Sequence, residues 1–247
     1  MQSVPYRETI GSLTHICRST RPDIAYPVSV ASRYLSNPGP AHWNMVKRIL
    51  RYLKGTRDWS LRIDPGPALT SSLQQNSQNT SIHGPLRFHG YSDADWGGEL
   101  ETSKSTSGYG FFLGNTLVSW QSKTQPTTAT STTYAEYIAS YHAAAECIWS
   151  RSFLSELGLL PLGATTLYGD NEAALKLAQF HMITPRSKHF DTKFHYIREQ
   201  VHQKSIQLVH CPGEENIADI WTKPLGKERF MKFRSQLGVS PPHHSAP

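Results

Sequence analysis

Four acidic residues of this 247-residue chain occupy positions from which carboxylate chemistry is possible. Asp93 ends a predicted strand, and Asp170 follows another strand just before a predicted helix. Glu136 lies in the first turns of a long predicted helix, and Asp219 lies in a helix after the last strand. Sites in open α/β sheets form at the carboxyl ends of parallel strands. Asp93 and Asp170 would therefore meet if their strands are neighbours, and the other two acids could approach from helices.

Four carboxylates can share one site only with a cation, because like charges at close range repel. Mg²⁺ suits such a site, since it prefers hard oxygen ligands. Two such ions, roughly 4 Å apart, activate a water and stabilise the leaving oxygen in phosphodiester hydrolysis. Structural roles are equally open on spacing alone. Asp170 could cap the helix that Asn171 opens, and Glu136 or Asp219 could lie on a solvated helix face.

Strands and helices alternate around these acids. Period-two patterns and turn residues predict the strands, and Gly114-Asn115-Thr116 is typical of a hairpin turn. This order predicts an α/β fold with a mixed sheet. The predicted elements are strands Leu86–Asp93, Ser107–Leu113 and Leu117–Trp120, helix Thr132–Leu157, strand Thr165–Tyr168, helices Asn171–Gln179 and Phe190–Gln203, strand Ile206–His210, and helix Glu215–Thr222.

The N-terminal quarter has helical spacing of its apolar residues. We predict helices around Ile10–Cys17, from Pro22 to Tyr34 and from Ala41 to Leu53. A Pro-, Gly-, Ser-, Gln- and Asn-rich stretch follows and predicts a flexible linker. The predicted layout is a helical segment at 1–63, a linker at 64–85, a sheet domain at 86–225, and a C-terminal helix with a disordered tail at 226–247.

The composition limits the class of binding partner and the cellular compartment that fit this sequence. The net charge of +6 and the pI near 9.2 suit a polyanionic partner without identifying one. Lys47, Arg48 and Arg51 could contact phosphates or simply face solvent. Three widely separated cysteines fit neither a disulfide framework nor a zinc ribbon, so we expect a reducing compartment. Neither a signal peptide nor a membrane span is recognisable, which predicts a protein that is not secreted and has no membrane partner.

Several motifs occur in a fixed order and carry a resemblance to a known family. In the C-terminal part, the order closely resembles the ribonuclease H domain of copia-type retrotransposon Pol polyproteins. The N-terminal motifs resemble the segment that joins the reverse transcriptase to that domain. The segments are Tyr6–Leu13, Thr20–Ile24, Asn37–Pro40, Arg48–Gly55, Tyr91–Gly98, Ser103–Tyr109, Val118–Lys123, Ala135–Tyr137, Gly169–Asn171, Ser187–Asp191, His195–Glu199 and Asn216–Leu225.

The resemblance implies a ribonuclease H-like fold, a five-stranded mixed sheet with helices on both faces. It places the catalytic, metal-binding carboxylates at Asp93, Glu136, Asp170 and Asp219, with two Mg²⁺ ions as cofactors and Mn²⁺ as a substitute. The implied reaction is in-line attack of water on an RNA phosphodiester within an RNA–DNA hybrid. The implied partners are that hybrid and an upstream reverse transcriptase domain.

We predict substrate contacts from the residues that neighbour the acids in the sequence. The 2′-hydroxyls of RNA distinguish it from DNA. We expect sugar and phosphate to lie near a small group of polar and basic residues. The group comprises Ser131, Thr132, Asn171, Arg186 and Lys188. A zinc site built on His181, His189, His195, His202 and Cys211 is a weaker interpretation, because the spacings suit no known ligand arrangement.

This sequence departs from the family pattern in two places. Tyr134 replaces a second glutamate that many relatives carry, which should leave the metal ligands intact. His210 belongs to a predicted strand, whereas the catalytic histidine of cellular ribonucleases H, which serves proton transfer, lies in a loop before the last acid. Trp120 and Trp149 are predicted core residues.

The resemblance leaves three classes of function. The first is an active ribonuclease H in a cytoplasmic virus-like particle or in the nucleus. A catalytically silent remnant that binds nucleic acid is the second, and a module that docks on a polymerase through residues 6–62 is the third. The paired aspartates of a polymerase palm are missing from this sequence, so we expect no DNA synthesis from it.

Overall fold

The computed structural model describes most of the chain. Arg186, Lys188, His181 and His189 lie outside the described residues, as does the predicted linker apart from Asp64. The described ranges are 4–64, 87–99, 101–159, 163–179 and 191–242, without the side chains of 191–194.

Five strands form the central sheet in the order β4-β3-β2-β5-β6. Strands β2, β5 and β6 run parallel, while β3 is antiparallel to both β2 and β4. This arrangement confirms the predicted mixed sheet and the ribonuclease H-like fold. The strands are β2 Phe88–Asp95, β3 Thr106–Leu113, β4 Thr116–Thr124, β5 Thr165–Gly169 and β6 Ile206–His210. A separate strand, β1, comprises Ser60–Leu61.

The predicted hairpin joins β3 to β4. Gly114 has a φ of 61°, a left-handed conformation that glycine adopts without steric cost. Leu113 pairs with Thr116 across the turn, and the register shifts once, between Phe111 and Phe112. Such a bulge increases local twist, and here it leaves Phe111 and Phe112 both buried.

Helices cover both faces of the sheet. On one face, Phe111, Leu167 and Leu208 pack with the long helix α4 and the two helices after it. Alanines at 135, 139 and 143 of α4 are fully buried and have short side chains, which lets the helix approach the sheet closely. The helices in chain order are α1 Tyr6–Ser19, α2 Ala25–Ser32, α3 Pro40–Gly55, α4 Thr132–Glu156, α5 Glu172–Gln179, α6 Asp191–His202 and α7 Lys227–Gln236.

The opposite face carries a 3₁₀ helix at Ile217–Trp221, and the α-helix predicted at Glu215–Thr222 is therefore wrong in type. Asn216 caps this helix by accepting from the Ala218 amide at 3.2 Å. Pro224, which has no N–H to donate, prevents it from continuing. Trp221 is fully buried, and a side chain added at Gly110 would overlap its ring. The tight fit fixes the helix that carries Asp219.

The N-terminal helices pack directly on the sheet domain. The indole of Trp120 donates to the Cys17 carbonyl at 2.8 Å, and that of Trp221 donates to the Pro22 carbonyl at 3.1 Å. Pro22 lies in a 3₁₀ helix, Pro22–Ile24, that precedes α2, so the helix predicted from Pro22 to Tyr34 is divided and ends earlier, at Ser32. The domain boundaries stay a prediction, although these contacts tie the first segment to the second.

One further contact crosses the predicted boundaries, and a buried cluster stabilises the N-terminal segment itself. Strand β1 pairs antiparallel with β7, Val239–Ser240, in a region where the sequence predicts only a disordered tail. Within the N-terminal segment, Arg21 and Asp23 form a buried ion pair with 2.8 Å between Nη2 and Oδ2. The Thr56 hydroxyl and the Tyr52 hydroxyl complete this buried cluster at 2.8 and 2.5 Å.

The prediction that Trp149 is a core residue is wrong. Its side chain stacks on Phe153 with an interplanar angle of 2°, and both rings are exposed. They project from the outer surface of α4, whose buried positions include Ala135, Ala139, Ala143 and Ala144. Among the described residues, no helix is long and apolar enough to cross a membrane.

Candidate active site

Two adjacent parallel strands bring the first two acids together. Tyr91 of β2 pairs with Tyr168 of β5, and two residues further along the chain Asp93, still in β2, lies near Asp170, which directly follows β5. The chain turns away from the sheet here, with β3 on one side of β2 and β5 on the other. The strand-end rule from the sequence therefore places both residues at the same edge.

Glu136 completes a compact acidic triad. One carboxylate oxygen from each of Asp93, Glu136 and Asp170 lies within 4.8 Å of the others. Glu136 comes from the second turn of α4, which small residues hold against β2 through the buried cluster of Ala94, Ala129, Ala135 and Ala139. The structure thus brings three of the four predicted ligands into one metal-sized cluster.

The oxygens of the triad are incompletely satisfied by the protein. Oδ1 of Asp93 and Oδ1 of Asp170 are buried and accept no hydrogen bond from the residues that the structure describes. Buried polar atoms normally have partners, so such exceptions indicate a missing ligand such as an ion or water. Hard, negatively charged oxygens are the ligands that Mg²⁺ prefers. The residues present therefore fit a divalent cation.

Burial and mutual repulsion raise the pKa of all three triad carboxyls. Burial, opposed by Lys223 and reinforced by Asp219, raises the pKa of Asp93 to about 6. Burial raises the pKa of Glu136 well above its ordinary value, with Asp93 and Asp170 adding to the effect. Burial and then Asp93 raise the pKa of Asp170. A bound divalent cation would favour the ionised forms and oppose these shifts.

Asp219 lies beside the triad but is engaged by cations. Its carboxylate is 1% exposed and forms ion pairs with Lys223, at 2.7 Å from Nζ to Oδ1, and with Arg229. Burial lowers the pKa of Lys223, but Asp93 and Asp219 outweigh burial and raise it. Sequence reasoning missed this role of Lys223, although its position four residues after Asp219 was a readable signal.

Asp93 has a further neighbour that the sequence did not single out. The Thr222 hydroxyl donates a short hydrogen bond to Oδ2 of Asp93. Lys223 Nζ lies 3.7 Å from the same oxygen. Both residues follow the second 3₁₀ helix, so the fit of Trp221 against the sheet also positions these groups.

The structure assigns helix capping to Asn171 rather than to Asp170. Oδ1 of Asn171 accepts from the Ala174 amide at 2.9 Å, as an N-cap side chain does. The Asp170 carboxylate is therefore available to the triad. Ser131 likewise caps α4 by accepting from the Tyr134 amide at 3.1 Å, and Thr132 is exposed at the first position of that helix. A role of these three residues in substrate binding stays a prediction.

The capping role predicts that Asn171 contributes to the free energy of unfolding. We expect Asn171→Ala to lower the free energy of unfolding by about 1 kcal/mol, since the first turn of α5 loses its side-chain acceptor. Urea denaturation followed by circular dichroism measures the change. Asn171→Asp retains a capping oxygen and should remain close to the wild type. Equal losses in both variants would contradict the capping assignment.

His210 contacts the main chain of the site and not its carboxylates. Nε2 of this exposed ring lies 3.2 Å from the backbone carbonyl of Asp170. The contact helps to hold the end of β5. The expectation that His210 differs from the histidine of cellular ribonucleases H stays a prediction.

Comparisons with known proteins identify similar sequences. The chain is 38% identical over 239 residues to a retrovirus-related Pol polyprotein from transposon TNT 1-94 of Nicotiana tabacum, covering 97% of this chain and 17% of the relative. It is 37% identical over 234 residues to the corresponding protein of transposon RE2 of Arabidopsis thaliana, covering 95% and 15%. A 149-residue stretch is 40% identical to "Secreted RxLR effector protein 161" of Plasmopara viticola, covering 60% of this chain and 93% of that protein. The chain thus spans about a sixth of the Pol relatives.

Solved structures give a weaker likeness. The crystal structure of LC11-RNase H1 in complex with an RNA/DNA hybrid superposes with a TM-score of 0.42 at 17% identity, covering 55% of this chain and 94% of that chain. No model of a known protein family matches the chain.

Proposed function

Because the chain belongs to the Pol proteins of copia-type retrotransposons, with a ribonuclease H-like domain, we propose that it is a metal-dependent endonuclease. Its substrate in this proposal is the RNA strand of an RNA–DNA hybrid formed during reverse transcription. The observation that carries the proposal is the triad of Asp93, Glu136 and Asp170, whose ligand oxygens lie within 4.8 Å of one another at the carboxyl ends of two parallel strands.

The triad would hold a Mg²⁺ ion, for which Mn²⁺ is a chemical substitute. When bound, such ions activate water and stabilise the leaving oxygen of a phosphodiester. The protein's own contribution is to fix the three carboxylates. Thr222 orients Asp93 by its hydrogen bond, and the Asn171 cap fixes the turn that begins after Asp170.

Binding of the hybrid is proposed to rest on charge and on the polar rim of the site. Helix N-termini favour anions, because their free N–H groups point outward. Three of the proposed contact residues lie at such helix starts, namely Ser131, Thr132 and Asn171. Arg186 and Lys188 are proposed to add phosphate contacts. Arg48 and Arg51 are exposed on α3, which the N-terminal segment holds against the sheet domain. An upstream reverse transcriptase domain is the proposed protein partner.

Cleavage of a labelled RNA–DNA hybrid by the full chain tests the proposal. We expect Mg²⁺-dependent cutting of the RNA strand, abolished by a chelator, because the acids repel one another and the scissile phosphate without a cation. The same RNA as a single strand or paired with RNA should stay intact. Cutting that persists in the chelator, or that favours single-stranded RNA, would contradict the proposal. A complete lack of cutting would favour a catalytically silent remnant.

A further inference from the structure

Lys223 lies between Asp93, a member of the triad, and Asp219, the fourth acid of the site. Its ammonium lies 2.7 Å from Oδ1 of Asp219 and 3.7 Å from Oδ2 of Asp93. Both carboxylates are 1% exposed, whereas the lysine side chain is 34% exposed. The Lys223 ammonium therefore contacts two of the four acids, and it approaches them from the solvent side.

The charges of the site match one divalent ion. Four ionised carboxylates carry four negative charges, while Lys223 and Arg229 bring two positive ones to Asp219 and Asp93. Four minus two leaves two negative charges, which one divalent cation neutralises. The oxygens left without hydrogen bonds on Asp93 and Asp170 lie on the triad.

We propose that the Lys223 ammonium occupies the second cation position of this site. The chain then binds one divalent ion on Asp93, Glu136 and Asp170, and takes a second on Asp93 and Asp219 only when Lys223 withdraws. This inference rests on the proposed function, since it concerns the same metal site. It makes Lys223 a positioning residue that sets how many ions the site holds.

The structure also provides a place to which Lys223 can withdraw. A cavity of about 610 Å³ lies between the N-terminal helices and the segment that follows Trp221, and Lys223 is part of its wall. The lysine side chain, which is 34% exposed, can therefore turn toward this cavity and away from the acids while the 3₁₀ helix stays folded.

Titration of the full chain with Mn²⁺ alone, followed by electron paramagnetic resonance of the free ion, tests the inference without an activity assay. We expect the wild type to bind one ion tightly and a second weakly. Lys223→Met keeps the side-chain length without the charge, and should strengthen the second site roughly ten- to a thousandfold. That is the range by which one neighbouring charge changes the affinity of a carboxylate for a proton.

Matched variants separate charge from packing. Lys223→Arg keeps the charge and should bind Mn²⁺ as the wild type does. Lys227→Met removes a charge from an exposed residue of α7 that, within the described residues, forms no ion pair with the acids, and should also leave the second site weak. Circular dichroism checks folding, with Lys223→Gln as a second neutral variant.

The outcomes distinguish this inference from the proposed function. Equal second-site affinities in the wild type and both neutral variants would overturn the role of Lys223, while the function would stand. A wild type that binds no Mn²⁺, or whose binding survives Asp170→Asn unchanged, would overturn the metal site and the inference together.

Discussion

Asp170→Asn is expected to reduce cleavage of an RNA–DNA hybrid about a thousandfold or more while hybrid binding survives. The substitution keeps the size of the side chain but removes a formal charge from the triad. Metal ions contribute several kcal/mol to such reactions, and each 1.4 kcal/mol is a tenfold change in rate. Single-turnover cleavage and a filter-binding assay of the same hybrid measure the two quantities separately.

The control for this variant lies two residues away. Glu172 is exposed and pairs with Lys176 across one turn of α5, so Glu172→Gln removes the same charge from the helix without touching the triad. It should cleave as the wild type does. Equal loss of binding and cleavage in Asp170→Asn would point to a structural role for this residue, and undiminished cleavage would remove it from the active site.

Asp23→Ala is expected to lower the free energy of unfolding by about 3–5 kcal/mol. The substitution leaves the Arg21 guanidinium, whose side chain is 6% exposed, without its counter-ion in a buried cluster. Removing one partner of a buried pair is costly because the remaining charge stays desolvated. Urea denaturation measures the free energy of unfolding. Because the adjacent Pro22 carbonyl accepts a hydrogen bond from Trp221, we expect the destabilisation to extend toward the acidic site.

An exposed pair serves as the comparison. Arg57 and Asp58 form an ion pair in which the side chains are 79% and 71% exposed. Surface pairs of this kind contribute up to about 1 kcal/mol, so Asp58→Ala should change stability little. Similar losses in Asp23→Ala and Asp58→Ala would show that burial is not what gives the Arg21–Asp23 pair its importance.

The sequence predicted the parts of the site that depend on strand periodicity. Asp93 lies two residues before the end of β2, Asp170 directly follows β5, and parallel pairing of the two strands brings the residues together. Spacing could not decide whether Asp170 or its neighbour caps α5, because both residue types are good N-caps. The structure decided for Asn171 through one hydrogen bond.

The remaining features depend on contacts between distant segments. The pairing of Ser60–Leu61 with Val239–Ser240 has no local signal, since two-residue strands leave no period in the sequence. Trp149 carries the residue type of a core position, yet its side chain is exposed and stacks on the exposed Phe153 of the same helix. Lys223 was visible as an i,i+4 partner of Asp219, but only the fold shows that it also reaches Asp93.

The pairing of β1 with β7 has a consequence for synthesis on the ribosome. Ser60 and Ser240 are neighbours in space but 180 residues apart in the chain. At roughly 5–20 residues per second, translation takes about 10–40 s to produce the later strand after the earlier one. Leu61 and Trp59, which pack with Phe233 and Leu237 in the finished protein, must wait that long for their partners. Until β7 has been synthesised, the segment around β1 therefore leaves apolar side chains uncovered, to which a chaperone can bind.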